Sequence, residues 1–95
     1  MQFEWDLAKA LANRRKHGVS FEEATSIFRD VWTHRRDMRR DYGEARMIAL
    51  GRDSNGVVLS VVYTFRSENL RIISARKASK DEREAYAKAS ADRAL

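Results

Sequence analysis

The Asn55-Gly56 pair restricts the fold of this chain more than any other feature. Between two stretches of alternating apolar residues, Asn-Gly strongly indicates a β-hairpin, because both residue types accept the positive φ of a tight turn. The flanking stretches are residues 45–51 and 57–66, and a third, 70–76, follows after three residues. Strands joined by such short connections are predicted to pair as an antiparallel meander.

A first helix is predicted ahead of these strands. Asp6 has the side chain of a helix N-cap, and the helix should run from Leu7 to about His17. Gly18 then stands where a helix end needs a residue of positive φ. Leu7, Ala10 and Leu11 lie on one stripe at helical spacing, so we expect that stripe to face the core.

Two further helices are predicted from capping-box spacing, in which an acid follows a hydroxyl residue by three positions. The two pairs are Ser20 with Glu23 and Ser79 with Glu82. Residues 31–42 are too charged to show a clear periodicity of apolar residues, and we interpret them as a strand followed by a loop. The predicted fold is therefore α+β: a small antiparallel sheet with two N-terminal helices and one C-terminal helix, grouped on one face.

The composition favours one basic globular domain over residues 1–95. Hydrophobic residues make up 43% of the chain, and 19 Lys and Arg against 14 Asp and Glu give a net charge of +5. Such an excess of positive charge favours a polyanionic partner such as nucleic acid. No apolar run is long enough to span a membrane and the start lacks a signal-peptide layout, so we expect a cytoplasmic protein with no membrane partner.

Several kinds of enzyme site are excluded by the residues themselves. The chain has no cysteine, no glycine-rich phosphate loop, no nucleophile elbow and no His-Glu-x-x-His helix. Its two histidines, His17 and His34, are not at metal-ligand spacing. Any chemistry is therefore expected to run on side chains, with no cofactor and no metal.

The turn between the first two helices collects acidic and basic groups. Lys16 and His17 fall in the last helical turn, where the helix dipole stabilises an imidazolium, so His17 is suited to donating a proton. Glu22 begins the next helix and is expected within reach of His17. It would act either as the base or as the group that orients His17, and the sequence leaves both roles open.

Two strands end in the same pattern, a hydroxyl residue followed two positions later by an arginine. The pairs are Thr64 with Arg66 and Ser74 with Arg76, and a period of two places each pair on one sheet face. If the two faces coincide, Arg66 and Arg76 form a clamp of guanidinium forks that match phosphate oxygens. With an acid and a base beside it, such a clamp suits metal-free RNA cleavage to a 2′,3′-cyclic phosphate.

Two further residues are predicted to contact substrate. Lys77 adjoins Arg76, and Tyr86 on the last helix could stack on a base or bond a phosphate. The same cationic residues would also suit a nucleic-acid-binding module without catalysis. A protein-interaction domain is a third interpretation, and it would show little dependence of binding on salt.

Four blocks in order resemble the BrnT toxin family, a branch of the RelE-like ribonuclease toxins of type II toxin–antitoxin systems. They are "FEWDLAKALANRRKHGVSFEEA" at 3–24, "GEARMIALG" at 43–51, "VVYTFR" at 61–66 and "RIISARKASKDEREAY" at 71–86. The resemblance implies a RelE-like α+β fold and RNA cleavage that halts translation. It also implies a BrnA-type antitoxin as partner, and binding to promoter DNA only through the toxin–antitoxin complex.

Carried over by position, the functional residues of the family fall on six side chains, which are Lys16, His17, Glu22, Arg66, Arg76 and Tyr86. Two departures from the family pattern lie close to the unclear segment 31–42. The proline usual after the second helix is missing from Asp30-Val31-Trp32. Asp41-Tyr42 stands where many members have His-Ser.

Overall fold

The computed structural model describes the backbone of residues 1–94 and the side chains of residues 1–92. In chain order its elements are β1 (Gln2–Glu4), α1 (Leu7–His17), α2 (Phe21–Thr25), a 3₁₀ helix (Ser26–Arg29), β2 (Trp32–Arg36), β3 (Met47–Arg52), β4 (Val58–Arg66), β5 (Asn69–Lys77) and α3 (Lys80–Ala94). The α+β class and the order of the elements from α1 to α3 agree with the sequence prediction. Among the described residues no helix is both long enough and apolar enough to cross a membrane.

The five strands form one mixed sheet in the order β1-β5-β4-β3-β2. Strands β2 to β5 pair antiparallel, as the meander predicts, but β1 pairs parallel to β5 over residues 69–71. The prediction of a purely antiparallel sheet is therefore wrong. Hairpin turns fix the direction of each strand in the meander, whereas β1 is far from its partner in sequence and no turn sets its direction.

The hairpin at Asn55-Gly56 is confirmed and its cause is local. Gly56 has a φ of 83° and donates its N–H to the Asp53 carbonyl at 3.0 Å. The Asp53 carboxylate accepts from the N–H groups of Asn55 and Val57, each at 2.9 Å. These bonds satisfy the backbone of the turn and hold the register between β3 and β4.

Helices cover both faces of the sheet, so the prediction that they group on one face is wrong. Gly51 lies against Ile27 of the 3₁₀ helix, whereas the next residue, Arg52, places its guanidinium 5.5 Å from the ring centre of Tyr86 on α3. Neighbouring residues of a strand point to opposite faces. The first face carries α2, the 3₁₀ helix and the main core, and the second carries α3.

The distribution of apolar residues explains why both faces need a cover. The largest fully buried side chains belong to the first face and its helices: Tyr63, Phe21, Ile27, Leu59, Leu70, Ile72 and Val61. On the second face β3 and β4 also bury apolar side chains, those of Ile48, Leu50 and Val62. A sheet that is apolar on both sides is stable only when both sides are covered.

Helix α1 lies beside the edge of β5 and is held there by one buried amide. The Asn13 side chain donates to the carbonyls of Ala75 at 2.8 Å and Val19 at 3.0 Å, and accepts the Ala75 N–H at 3.1 Å. Leu7 and Leu11 are 70% and 56% exposed, so the predicted core stripe is wrong for these two residues, whereas Ala10 does pack against the core. The helix flanks the sheet edge instead of covering the core.

A β-bulge in β5 decides which side chains reach the second face. Val62 pairs with Ser74 but the next residue of β4 pairs with Ile72, so Ile73 is the extra residue. Without a bulge, Ser74 and Arg76 would share the core face with Ile72, because they are separated by even numbers of residues. The bulge reverses the alternation, sends Ala75 into the core and turns Ser74 and Arg76 outward.

We predict that Asn13→Ala lowers the free energy of unfolding by about 2–4 kcal/mol, because three buried backbone groups lose their partner. Chemical denaturation measures the change. Lys9→Ala, at an exposed position of the same helix, is the control and should stay within about 0.5 kcal/mol of the parent. Equal effects of the two substitutions would contradict the assignment of Asn13 as the anchor of α1.

Candidate functional site

A hollow of about 250 Å³ opens on the second face of the sheet, between the end of α1 and the strands β4 and β5. Ile48, Val62 and Ala75 supply the apolar part of its lining. Its polar lining consists of six side chains: Lys16, His17, Arg39, Ser60, Ser74 and Arg76. Three of the six are cationic and one is an imidazole, so the hollow is suited to an anion.

The end of α1 delivers Lys16 and His17 to this hollow. His17 is the last helical residue, and Gly18 turns the chain away with a φ of 71° while its N–H donates to the Arg14 carbonyl at 2.8 Å. Because Asn13 fixes the preceding turn to β5, the helix end cannot slide along the strand. The imidazole and the ammonium group therefore lie at the same hollow as Arg76, as the sequence predicted for His17 and Arg76.

Arg76 is held in place by Glu82 at the start of α3. Its Nη1 and Nη2 donate to the two carboxylate oxygens at 2.7 and 3.1 Å. Glu82 also accepts the Ser79 N–H at 2.8 Å, which completes the predicted capping box. The hydrogen bond from Arg76 is the main cause that lowers the pKa of Glu82 from 4.5 to about 2.

Two serine hydroxyl groups line the hollow. Ser60 and Ser74 come from β4 and β5 and face the same side as Arg76, with which Ser60 is paired in the sheet. Neither hydroxyl has a hydrogen-bond partner within residues 1–92. Each can therefore donate to an anion that enters the hollow.

Arg39 is the charged lining residue that the sequence prediction missed. It follows β2 in the segment that showed no periodicity, and its guanidinium donates to Asp37 from Nε and Nη2 at 2.8 and 2.7 Å. Nothing in the local sequence separates Arg39 from its neighbours Arg35, Arg36 and Arg40. Only the folded chain shows that it reaches the hollow.

Arg66 lies away from the hollow, so the predicted clamp of Arg66 with Arg76 is not formed. In the β4–β5 hairpin Arg66 pairs with Asn69, whereas Arg76 pairs with Ser60. Six residues of strand separate these two levels, or about 20 Å. The Arg66 side chain is 54% exposed and lies 4.0 Å from a carboxylate oxygen of Glu44.

Glu22 and Lys77 line a different hollow, of about 450 Å³, on the first face of the sheet. Lys77 pairs with the core residue Leu59, which places it on the opposite side of β5 from Arg76. The chain turns at Gly18 from the side of His17 to the side of Glu22. The expected approach of Glu22 to His17 in one hollow is therefore not observed.

Tyr86 is a packing residue in this structure. It is 3% exposed, and its hydroxyl donates to the Val31 carbonyl at 2.8 Å. Arg52 covers the ring. Neither the ring face nor the hydroxyl is open to a nucleotide, so the prediction of stacking by Tyr86 disagrees with its position.

A larger hollow, of about 470 Å³, lies on the first face near β2. Its walls are mainly the side chains of Trp32, Met47, Tyr63 and Phe65. It also contains His34 and Glu44, but Glu44 is paired with Arg46 and Arg66. The smaller hollow is the stronger candidate because imidazole, ammonium and guanidinium groups converge there.

These features define a class: a small basic α+β protein whose candidate site places one imidazole among cations on a mixed sheet. Comparison with known families is more specific, since the model for "Ribonuclease toxin, BrnT, of type II toxin-antitoxin system" matches residues 5–82. The chain belongs to the BrnT family of ribonuclease toxins.

A solved structure supports the same assignment. The crystal structure of the ribonuclease toxin BrnT from Brucella abortus, at 1.1 Å resolution, superposes on this chain with a TM-score of 0.61. The two share 25% sequence identity over 84% of this chain and 99% of the Brucella chain. No curated protein matches the chain significantly.

We predict that Glu82→Gln reduces stability in a pH-dependent way. Because the pKa of Glu82 falls from 4.5 to about 2 on folding, its carboxylate stabilises the fold above pH 4.5 and loses that effect as the pH falls towards 2. Glutamine keeps the helix cap but removes the charge. At pH 6 the variant should be less stable than the parent by about 1–2 kcal/mol, a value reduced from the full pKa shift because solvent screens the partly exposed Arg76. Near pH 2 the two proteins should be equally stable.

Denaturation at several pH values tests this expectation. Glu84→Gln is the matched control, since Glu84 is 66% exposed and only 4.0 Å from Lys80 at its closest. Its effect should remain below about 0.5 kcal/mol at every pH. A difference between Glu82→Gln and the parent that does not change with pH would contradict the ion-pair explanation.

Proposed function

We propose that this chain is a metal-independent endoribonuclease of the RelE-like type and that the hollow at the end of α1 is its active site. One observation carries the proposal: His17 shares that hollow with Lys16 and Arg76. Cleavage of RNA without a metal needs a proton donor beside cationic groups that hold the phosphate. Membership of a ribonuclease family supports the choice of RNA as the anion.

In the proposed reaction the ribose 2′-oxygen attacks the neighbouring phosphorus and the bond from phosphorus to the 5′-oxygen breaks. His17 gives its proton to the departing 5′-oxygen. The proton of the 2′-hydroxyl leaves to water, because no carboxylate lines the hollow in the described part of the chain. The products are a 2′,3′-cyclic phosphate and a free 5′-hydroxyl.

Lys16, Arg76 and the two serine hydroxyls bind the phosphate in this scheme. Negative charge grows on the non-bridging oxygens as the phosphorane forms, and fixed donors stabilise that charge more than they stabilise the ground state. The bidentate bond to Glu82 holds the Arg76 guanidinium in advance, so little ordering remains to be done when RNA binds.

The charge of the hollow also supports a reaction without a metal. Its three cationic side chains repel a divalent cation, and no carboxylate lines the hollow among the described residues. Chelation of divalent ions with EDTA is therefore expected to leave the rate of cleavage unchanged.

Three of the predicted site residues lie outside the hollow, and we propose that they do not act in the chemical step. We propose that Arg66, on the same sheet face, contacts a phosphate further along the RNA, where its exposed guanidinium is accessible. Lys77 is exposed on the opposite face and adds to the electrostatic attraction of the strand. Glu22 takes no part in the chemical step, since it lies in the other hollow.

The cellular role follows from the family. We propose that the protein acts in the cytoplasm, cleaves RNA so that translation stops, and is neutralised by a BrnA-type antitoxin. Binding to promoter DNA would occur only in the complex with that antitoxin. The net charge of +5 supports electrostatic attraction to an acidic partner as well as to RNA.

We predict that His17→Ala lowers the rate of RNA cleavage about 10²- to 10⁴-fold, as expected for loss of a general acid. Cleavage of a labelled single-stranded RNA is followed on gels, and RNA affinity is measured in parallel. Affinity should change little, because the phosphate-binding cations remain. Induced expression of the variant should no longer arrest growth of a bacterial host.

His34→Ala is the matched control, since it removes the other histidine, which lies at the apolar hollow. It should cleave like the parent. If His17→Ala cleaves RNA as fast as His34→Ala, the proposed acid is wrong. If the unmodified protein binds RNA without cleaving it under any condition, the chain is a binding module instead.

A further inference from the structure

We propose that Arg39 is a second phosphate-contacting arginine of the hollow and that Asp37 and Tyr42 are the residues that position it. The inference rests on the proposed function and deepens it. The sequence predicted a clamp of two guanidinium groups formed by Arg66 and Arg76. The structure instead brings Arg39 to the hollow that contains Arg76, from a loop and not from a strand.

Asp37 fixes the guanidinium of Arg39 to the sheet. Its backbone N–H donates to the Arg46 carbonyl at 2.8 Å, which extends the ladder between β2 and β3 by one bond. Its carboxylate accepts from Nε and Nη2 of Arg39, and also from the Arg39 backbone N–H at 3.2 Å. Two parallel bonds to a planar fork set the plane of the guanidinium as well as its distance.

Tyr42 closes the network around the same carboxylate. Its hydroxyl donates to Asp37 at 3.0 Å, while its ring lies under the guanidinium groups of Arg46 at 4.2 Å and Arg40 at 4.9 Å. Two cation–π contacts hold the ring, so the hydroxyl keeps its position relative to Asp37. The loop is thus ordered by side-chain contacts within residues 37–46.

The burial of this network supports a functional role for the arginine. The Asp37 side chain is 0% exposed, whereas that of Arg39 is 65% exposed. Burying the Asp37 carboxylate away from water costs free energy. The ion pair with Arg39 offsets only part of that cost, because the arginine stays in contact with solvent. The bonds from Arg39 hold the pKa of the Asp37 carboxyl well below its usual range, so the carboxylate stays charged while it holds the arginine.

Donors for a phosphate remain on both arginines. Arg39 uses Nε and Nη2 for Asp37, so the two N–H groups on Nη1 are not used by that carboxylate. Arg76 uses Nη1 and Nη2 for Glu82, so its Nε–H is not used there. The hollow is therefore lined by two oriented guanidinium groups together with the hydroxyls of Ser60 and Ser74.

The test measures kcat and KM for cleavage of a labelled single-stranded RNA by Arg39→Ala, Arg39→Lys and Arg36→Ala. Arg39→Ala should lower kcat about 10- to 100-fold, as loss of a preorganised transition-state donor does. Arg39→Lys keeps a cation beside Asp37 and so preserves the fold. Because lysine lacks the planar guanidinium fork, the variant should show less than a tenth of the parent kcat. Arg36→Ala removes an exposed arginine of β2 and should match the parent in kcat. A kcat of Arg39→Lys within twofold of the parent would overturn the proposal.

Asp37→Asn tests the positioning role. It should lower kcat in the parent but cause no further loss in the Arg39→Ala background, because Asp37 acts only through Arg39. Stability measured by denaturation, in contrast, should fall in both backgrounds. If Asp37→Asn lowers kcat equally in both backgrounds, the carboxylate does not act by positioning Arg39.

Failure of the proposed active site would be recognised separately, because His17→Ala would then cleave like the parent. Arg39 is judged in that case by RNA affinity at several salt concentrations. Loss of one phosphate contact reduces the slope of log affinity against log salt by about 0.7 for single strands. Arg39→Ala should show this reduction and Arg39→Lys should not. An unchanged slope for Arg39→Ala would overturn the proposal.

Discussion

The amide of Asn13 is the interaction on which the candidate site depends. Strand β1 pairs with β5 only as far as Arg71, so the edge of β5 at Ala75 has no neighbouring strand there. The Asn13 amide takes the place of that strand by bonding to the N–H and the carbonyl of Ala75. A helix held at that point ends beside the last part of β5, where Ser74 and Arg76 line the hollow. Backbone groups at an open sheet edge need partners, and here one side chain satisfies both groups of a residue. Stability of the sheet edge and placement of the imidazole thus have one cause.

The hollow is built from charges that are oriented before any ligand arrives. Arg76 and Arg39 each donate two bonds to a carboxylate of low exposure, Glu82 in one case and Asp37 in the other. These carboxylates partly neutralise the arginines, which lessens their repulsion of Lys16 and of each other. They also remove most of the rotational freedom of the side chains, so binding an anion costs less entropy.

Local features were predictable from the sequence and distant ones were not. The Asn55-Gly56 hairpin and the capping box at Ser79 arise from bonds within a few residues. Three features were not predictable from a short sequence pattern: the parallel pairing of β1, the anchor at Asn13 and the bulge at Ile73. The first two join residues that are far apart in sequence, and the third depends on the packing of the core. The separation of Arg66 from Arg76, in contrast, was predictable, because antiparallel pairing places the end of one strand beside the start of the next.

The loop from Asp37 to Arg46 makes most of its contacts within itself. Its side-chain hydrogen bonds span two and five residues. It is connected to the sheet by the backbone bond at Asp37, by the bond from the Thr64 hydroxyl to the Ala45 carbonyl at 2.6 Å, and by the contact of Glu44 with Arg66. A segment with such short-range contacts can be exchanged between relatives without disturbing the strands on either side. Asp41-Tyr42, one of the two departures from the family resemblance, lies in this loop, so a change there alters the surroundings of Arg39 and leaves the scaffold of the sheet as it is.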